Sequence, residues 1–124
     1  MAGTADDLVE IRVATPDRAT ALRLAHLLVD EGLAACVQVI PGVTSVYRWD
    51  GVVHEDAEHL LLAKSTAGRF APIRERVGAE HPYDTPEVIA VPVSDAESRY
   101  ASWVREAVRQ GGPAGPATTD EDAR

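Results

Sequence analysis

From Leu8 to Ala14 apolar and polar residues alternate, with Val9, Ile11 and Val13 on one side, the pattern of a half-buried strand. Thr15-Pro16-Asp17 reads as a helix start, with Thr15 to cap, Pro16 at the first helical position and Asp17 in the first turn. Ala21, Leu24, Ala25 and Leu28 then recur on one helical face, and Gly32 supplies the stop. Leu33 to Ile40 alternates again as a second strand. Pro41-Gly42 interrupts it, but Val43 to Trp49 resumes strand composition at once, so a bulge or bend is more economical than an end. Asp50-Gly51 is a two-residue hairpin turn, and Val52 to Ser65 returns as the third strand. That turn sets Tyr47 opposite His54 and Trp49 opposite Val52, all on one face.

Thr66 to Glu80 follows as a second helix, with Phe70, Ile73 and Val77 on a face and Pro72 early enough to be tolerated. Val88 to Val93 is a fourth strand, and Pro92, which cannot donate to a ladder, favours an edge position. Ser94 and Glu97 form a capping box for a third helix striped by Tyr100, Trp103, Val104, Ala107 and Val108, which Gly111-Gly112-Pro113 ends. The order β-α-β-β-α-β plus one helix is that of an α+β, ferredoxin-like sandwich. Residues 8–109 form the single domain, 1–7 are expected to be a flexible N-terminus and 110–124 a disordered acidic tail. The hairpin arms are about twice the ~5–6 residues of a typical strand, so the hairpin projects beyond its own sheet. It carries Val46, Tyr47, Trp49 and Val52, an apolar surface that implies packing on another copy of the chain.

Composition narrows the function classes. With 124 residues and 45% apolar content, one modest core is expected. Net charge is −8, much of it on Asp6, Asp7, Asp120, Glu121 and Asp122, and no cluster of Lys and Arg offers a nucleic-acid groove. No apolar run reaches the ~18 residues of a membrane span and the N-terminus lacks a signal-peptide pattern, so no membrane and a cytoplasmic setting are expected. Cys36 is the only cysteine and makes no internal disulfide.

The densest candidate chemistry is His81-Pro-Tyr-Asp-Thr-Pro-Glu87, where a helix gives way to a strand. The chain has neither a Gly-X-Ser-X-Gly elbow nor a phosphate-cradling glycine loop, and no enzyme activity is expected. An imidazole from His81 and the thiol of Cys36 suit copper or zinc, and Glu87 could add an oxygen. No Cys-X-X-Cys or His-X-X-X-His is present, and the odd separation of His54 and His59 puts them on opposite strand faces. For His81, a turn histidine satisfied by a backbone carbonyl and a metal ligand are both open readings. Lys64, after the apolar run Leu60-Leu61-Leu62-Ala63, either snorkels at the sheet rim or pairs with a carboxylate such as Glu87.

Leu33-Ala-Ala-Cys36, Ile40-Pro-Gly-Val-Thr-Ser-Val-Tyr47, Trp49-Asp-Gly51, Lys64 and His81 to Glu87 together resemble the CutA family of divalent-cation tolerance proteins, from about Val9 to Val108. The resemblance implies a ferredoxin-like protomer in a tight homotrimer, with Trp49 and Tyr47 at the subunit interface. It implies a cytoplasmic, non-enzymatic protein of metal-ion response that binds copper or another divalent metal ion near an intersubunit cleft. Cys36, Lys64, His81, Tyr83 and Glu87 are the metal or ligand candidates that it points to. A PII-like trimer that senses a small ligand, or a scaffold without a metal, is the alternative it also implies. Some relatives carry a cysteine late in the first strand where this chain has Val13, which removes that thiol from any copper site here.

Overall fold

A computed structural model describes residues 3–109. Four antiparallel strands, β1 (Leu8–Thr15), β2 (Cys36–Trp49), β3 (Val52–Thr66) and β4 (Val88–Pro92), form one sheet in the order β2-β3-β1-β4. Helices α1 (Arg18–Asp30) and α2 (Phe70–Glu80) complete the ferredoxin-like β-α-β-β-α-β unit, and α3 (Ser98–Val108) follows. β4 takes the edge that Pro92 demands.

Alternation in β1 divides the sheet into two faces. Ile11 and Val13, fully buried, meet Leu24 and Leu28 of α1, Leu61 of β3, and Ile73 and Val77 of α2 in the main core. Leu8, on the other face, packs with Ala101 and Val104, so α3 covers one end of the sheet face opposite α1 and α2. Gly32, at φ 70°, closes α1: its N–H reaches the Val29 carbonyl, and that of Leu33 reaches Leu28. Arg76 of α2 grips both carboxylate oxygens of Glu31 at 2.8 and 2.7 Å, which ties α2 to the end of α1.

The hairpin leaves its own sheet as its length requires. β1 pairs with β3 only between His59 and Thr66, and from Val52 to Glu58 β3 has β2 alone beside it. Seven residue steps amount to an extension of about 23 Å. Asp50 and Gly51 turn it at φ 50° and 78°, both left-handed as the tight turn needs. Pro41-Gly42 is a true bulge, between the pairs Ile40–Leu60 and Val43–Glu58. Two residues of β2 there oppose one of β3, so the alternation of β2 changes parity. Val37 and Val39 pack against the helix-side core, yet Tyr47 and Trp49 emerge on the opposite, open face.

Several local expectations are corrected. Asp17, not Thr15, caps α1, accepting from the Thr20 N–H at 2.8 Å; the Thr15 hydroxyl donates to the His59 carbonyl at 2.9 Å instead. The Ser94 capping box does not form, because Glu97 is itself the cap and accepts from the Tyr100 N–H at 2.9 Å. The helix therefore begins later, and its buried stripe is Ala101, Val104 and Val108, with Trp103 and Ala107 exposed on the protomer. β2 begins at Cys36, with Leu33 and Ala34 buried in the preceding loop. A 3-10 turn over Ala67–Arg69 precedes α2. The expected tail at 110–124, and with it Gly111-Gly112-Pro113, lies outside the described residues.

Candidate functional site

The β1–β4 ladder stops at Val13–Val88, and the next carbonyl, that of Ala14, would be orphaned. His81, the residue at which α2 ends, takes it: Nε2–H donates to the Ala14 oxygen at 2.7 Å, and Nδ1 accepts from the Tyr83 N–H at 3.0 Å. A carbonyl can only accept and an amide N–H can only donate, so these partners fix the neutral Nε2–H tautomer. His81 is 8% exposed, and both ring nitrogens are spent on holding the turn.

Tyr83 is carried across the root of the hairpin by that turn. Its hydroxyl donates to Glu58 Oε2 at 2.9 Å, its ring lies 4.8 Å from that of His81, and Glu58 beneath it is 8% exposed. Burial, and then the Glu58 carboxylate, push the Tyr83 hydroxyl up to about 12. Beside it on the open face, Tyr47 stacks on His54 with ring centroids 5.3 Å apart and donates its hydroxyl to Asp56, which raises its pKa. Between hairpin and turn runs a groove of about 560 Å³, walled by Tyr47, Trp49 and Tyr83, with Glu58 at its base and Asp84 and Glu87 on its rim. No Lys, Arg or His lines it.

The other candidates sit at the opposite end of the sheet. Cys36 pairs with Lys64, and Lys64 with Glu10, in one row across β2, β3 and β1. Lys64 Nζ lies 3.2 Å from Glu10 Oε2 and donates to Gln38 Oε1 at 3.0 Å, so its carboxylate partner is Glu10, not Glu87. Burial would raise the Glu10 pKa, but hydrogen bonds from Arg12 and Lys64 outweigh it and hold the carboxyl below its usual range. Six steps of β3 separate Lys64 from Glu58, about 20 Å. One protomer thus brings His81, Tyr83 and Glu87 together and leaves Cys36 and Lys64 apart from them.

The family model of the CutA1 divalent ion tolerance protein matches residues 9–107. The chain belongs to the CutA1 family. Among CutA relatives, the divalent-cation tolerance protein CutA of Thermus thermophilus is 46% identical over 96 residues, covering 77% of this chain and 93% of that one. The chloroplastic CutA of Arabidopsis thaliana is 41% identical over 101 residues, 82% of this chain but 56% of that longer relative. In structure, CutA1 of Oryza sativa superposes with a TM-score of 0.81 at 38% identity, covering 84% of this chain and 95% of that one. The T. thermophilus structure gives 0.79 at 44% identity, covering 81% and 97%.

Copper, which the CutA resemblance implies, is not fitted by the donors of one protomer. His81 has no free lone pair, the Lys64 ammonium has none to give, and Cys36 stands at the far end of the sheet. Among the described residues no three of His, Cys, Asp and Glu converge as a metal-holding group. Glu58, the most buried acid of the groove, was not singled out by sequence. It reads there as one polar position in an alternating strand, and only the overlying Tyr83 distinguishes it.

Proposed function

We propose that this CutA-family protein is a homotrimer that contributes to metal-ion response by taking a divalent cation, copper among them, into the groove beside the hairpin. The observation that carries the reading is the groove itself: three carboxylates, Glu58, Asp84 and Glu87, line it with no basic side chain to balance them. Oxygen donors of this kind suit Cu(II) or harder ions, whereas Cu(I) asks for thiolate or thioether. Because the donors of one protomer do not converge, the neighbouring subunit completes the site, and the exposed Val46, Tyr47, Trp49, Val52 and Val53 of the hairpin supply the apolar contact that brings it there. His81 positions the turn and is not a ligand. The protein catalyses no reaction in this reading and works in the cytoplasm. Lys64, paired with Glu10, lies outside the lining of this groove on one protomer.

Calorimetric titration with Cu(II), anaerobic Cu(I) and Zn(II), beside light scattering, tests the reading. Saturable Cu(II) binding to a trimer, kept in His81→Ala and lost in Glu58→Gln, is the expected result. A trimer without saturable binding of any of the three ions refutes the metal part, and a monomer at micromolar concentration refutes the assembly.

A further inference from the structure

The sheet face opposite α1 and α2 carries both halves of an ion pair that a single copy cannot form. On its sheet half two cations share Glu10: Arg12 Nε lies 3.0 Å from Oε1 and Lys64 Nζ 3.2 Å from Oε2, so this patch keeps a net positive charge. The terminal nitrogens of Arg12 have no hydrogen-bond partner among the described residues, and its side chain is 44% exposed. On the hairpin half, Asp56 is exposed, accepts only from the Tyr47 hydroxyl, through Oδ2, and enters none of the ion pairs among the described residues. Glu58, the other acid on this face of the hairpin, is buried under Tyr83, so Asp56 is the negative charge that the hairpin presents outward.

Arg12 stands opposite Leu62 of β3, and six strand steps, about 20 Å, separate Leu62 from Asp56. No side chain spans that distance, so the two charges meet only between copies. Their apolar surroundings match as well. Arg12 is flanked by exposed Ile89 in its own row and by exposed Ile40 one row on, while Asp56 is flanked by exposed Tyr47, with Trp49 and Val52 beyond it. The projecting part of the hairpin, about 23 Å long, is sufficient to lie along the sheet half of a second copy. Such a contact puts a hairpin face on one neighbour and a sheet face under the other, and head-to-tail contacts of this kind close as rings.

We propose that the hairpin of one copy lies on the open sheet face of the next, with Arg12 of that sheet paired to Asp56 of the incoming hairpin. An arginine fork on a carboxylate within an apolar contact sets register and rejects a misplaced copy. The proposal rests on the trimeric assembly and leaves Glu58, Asp84 and Glu87 to the cation.

Subunit exchange tests it: isotope-labelled and unlabelled full-length assemblies are mixed, and mixed trimers are followed by native mass spectrometry. Arg12→Gln and Asp56→Asn, the second keeping an acceptor for the Tyr47 hydroxyl, should each exchange about 10-fold faster or more, the worth of a charged hydrogen bond. The double variant should exchange no faster than the faster single one, because either change removes the same pair. Circular dichroism checks that each variant is folded. A parental rate in either folded single variant overturns the proposal. So does a double variant whose acceleration is the product of the two single ones, since the residues then act apart. A monomeric parent refutes the assembly and this pairing with it; a trimeric parent with unaffected variants refutes the pairing alone.

Discussion

Replacing His81 by Ala separates a ring that holds a turn from a ring that holds a metal. The substitution removes the Nε2–H bond to Ala14 and the Nδ1 acceptor of the Tyr83 N–H. Ala14 is 9% exposed and lies past the last β1–β4 pair, so its carbonyl gains no protein partner in exchange. One hydrogen bond is worth about 1 kcal/mol net, and an orphaned buried acceptor costs about 1–3 kcal/mol more. A loss of about 3 kcal/mol in the stability of the turn follows, or roughly a 100-fold rise in its opening equilibrium. Amide exchange reads this at a single site: the Tyr83 N–H, protected in the parent, exchanges roughly 100-fold faster in the variant, and Glu58 loses its cover. The melting temperature, compared at fixed protein concentration because assembly contributes to it, falls as well. Cu(II) affinity changes only as far as the turn is displaced. Unchanged Tyr83 exchange and melting, together with abolished metal binding, would refute the structural assignment of His81 and make it a ligand.

Two further outcomes follow from the same geometry. Tyr83 stays protonated until about pH 12, so its bond to Glu58 stabilises the fold fully below the ordinary tyrosine value near 10 and is lost as pH rises through 12. Ultraviolet titration should show a tyrosine ionising near pH 12 that Tyr83→Phe removes, while Tyr47, also raised by its bond to Asp56, remains; ionisation of all three tyrosines near pH 10 would count against it. Trp49 is 52% exposed at the hairpin tip, and in the proposed trimer, where it anchors the subunit contact, Trp49→Ala costs about 2 kcal/mol or more of association. Light scattering over a dilution series should then show dissociation at higher concentration than in the parent, and identical curves would place Trp49 outside the interface.

Much of the fold was legible locally. Period-two alternation from Leu8 to Ala14, period-3.6 recurrence from Ala21 to Leu28, and Asp50-Gly51 each specify their element through neighbours a few residues away. Pairing register across a two-residue turn follows from the turn alone, which is why Tyr47 does face His54 and Trp49 does face Val52. Helix starts were less legible. Thr15 and Asp17, like Ser94 and Glu97, offer competing caps within a few residues, and the choice depends on where β1 and β4 release the chain.

The site divides along the same line. Sequence by itself determined that His81 to Glu87 forms a polar turn between α2 and β4, that the hairpin outruns its sheet, and that the chain bears the marks of its family. Tertiary structure alone decided what those residues do. It spent both nitrogens of His81 on Ala14 and Tyr83, because the edge strand ends one residue before a carbonyl that needs a donor. It set Lys64 against Glu10 through sheet order, some 20 Å from the turn. The single extra residue at Pro41-Gly42 turned Tyr47 and Trp49 to the open face, where a buried Glu58 waits under Tyr83. Local pattern reports which residues are strand or helix. Which side chains meet depends on parity, register and chain ends, and those are fixed only when the whole sheet is assembled.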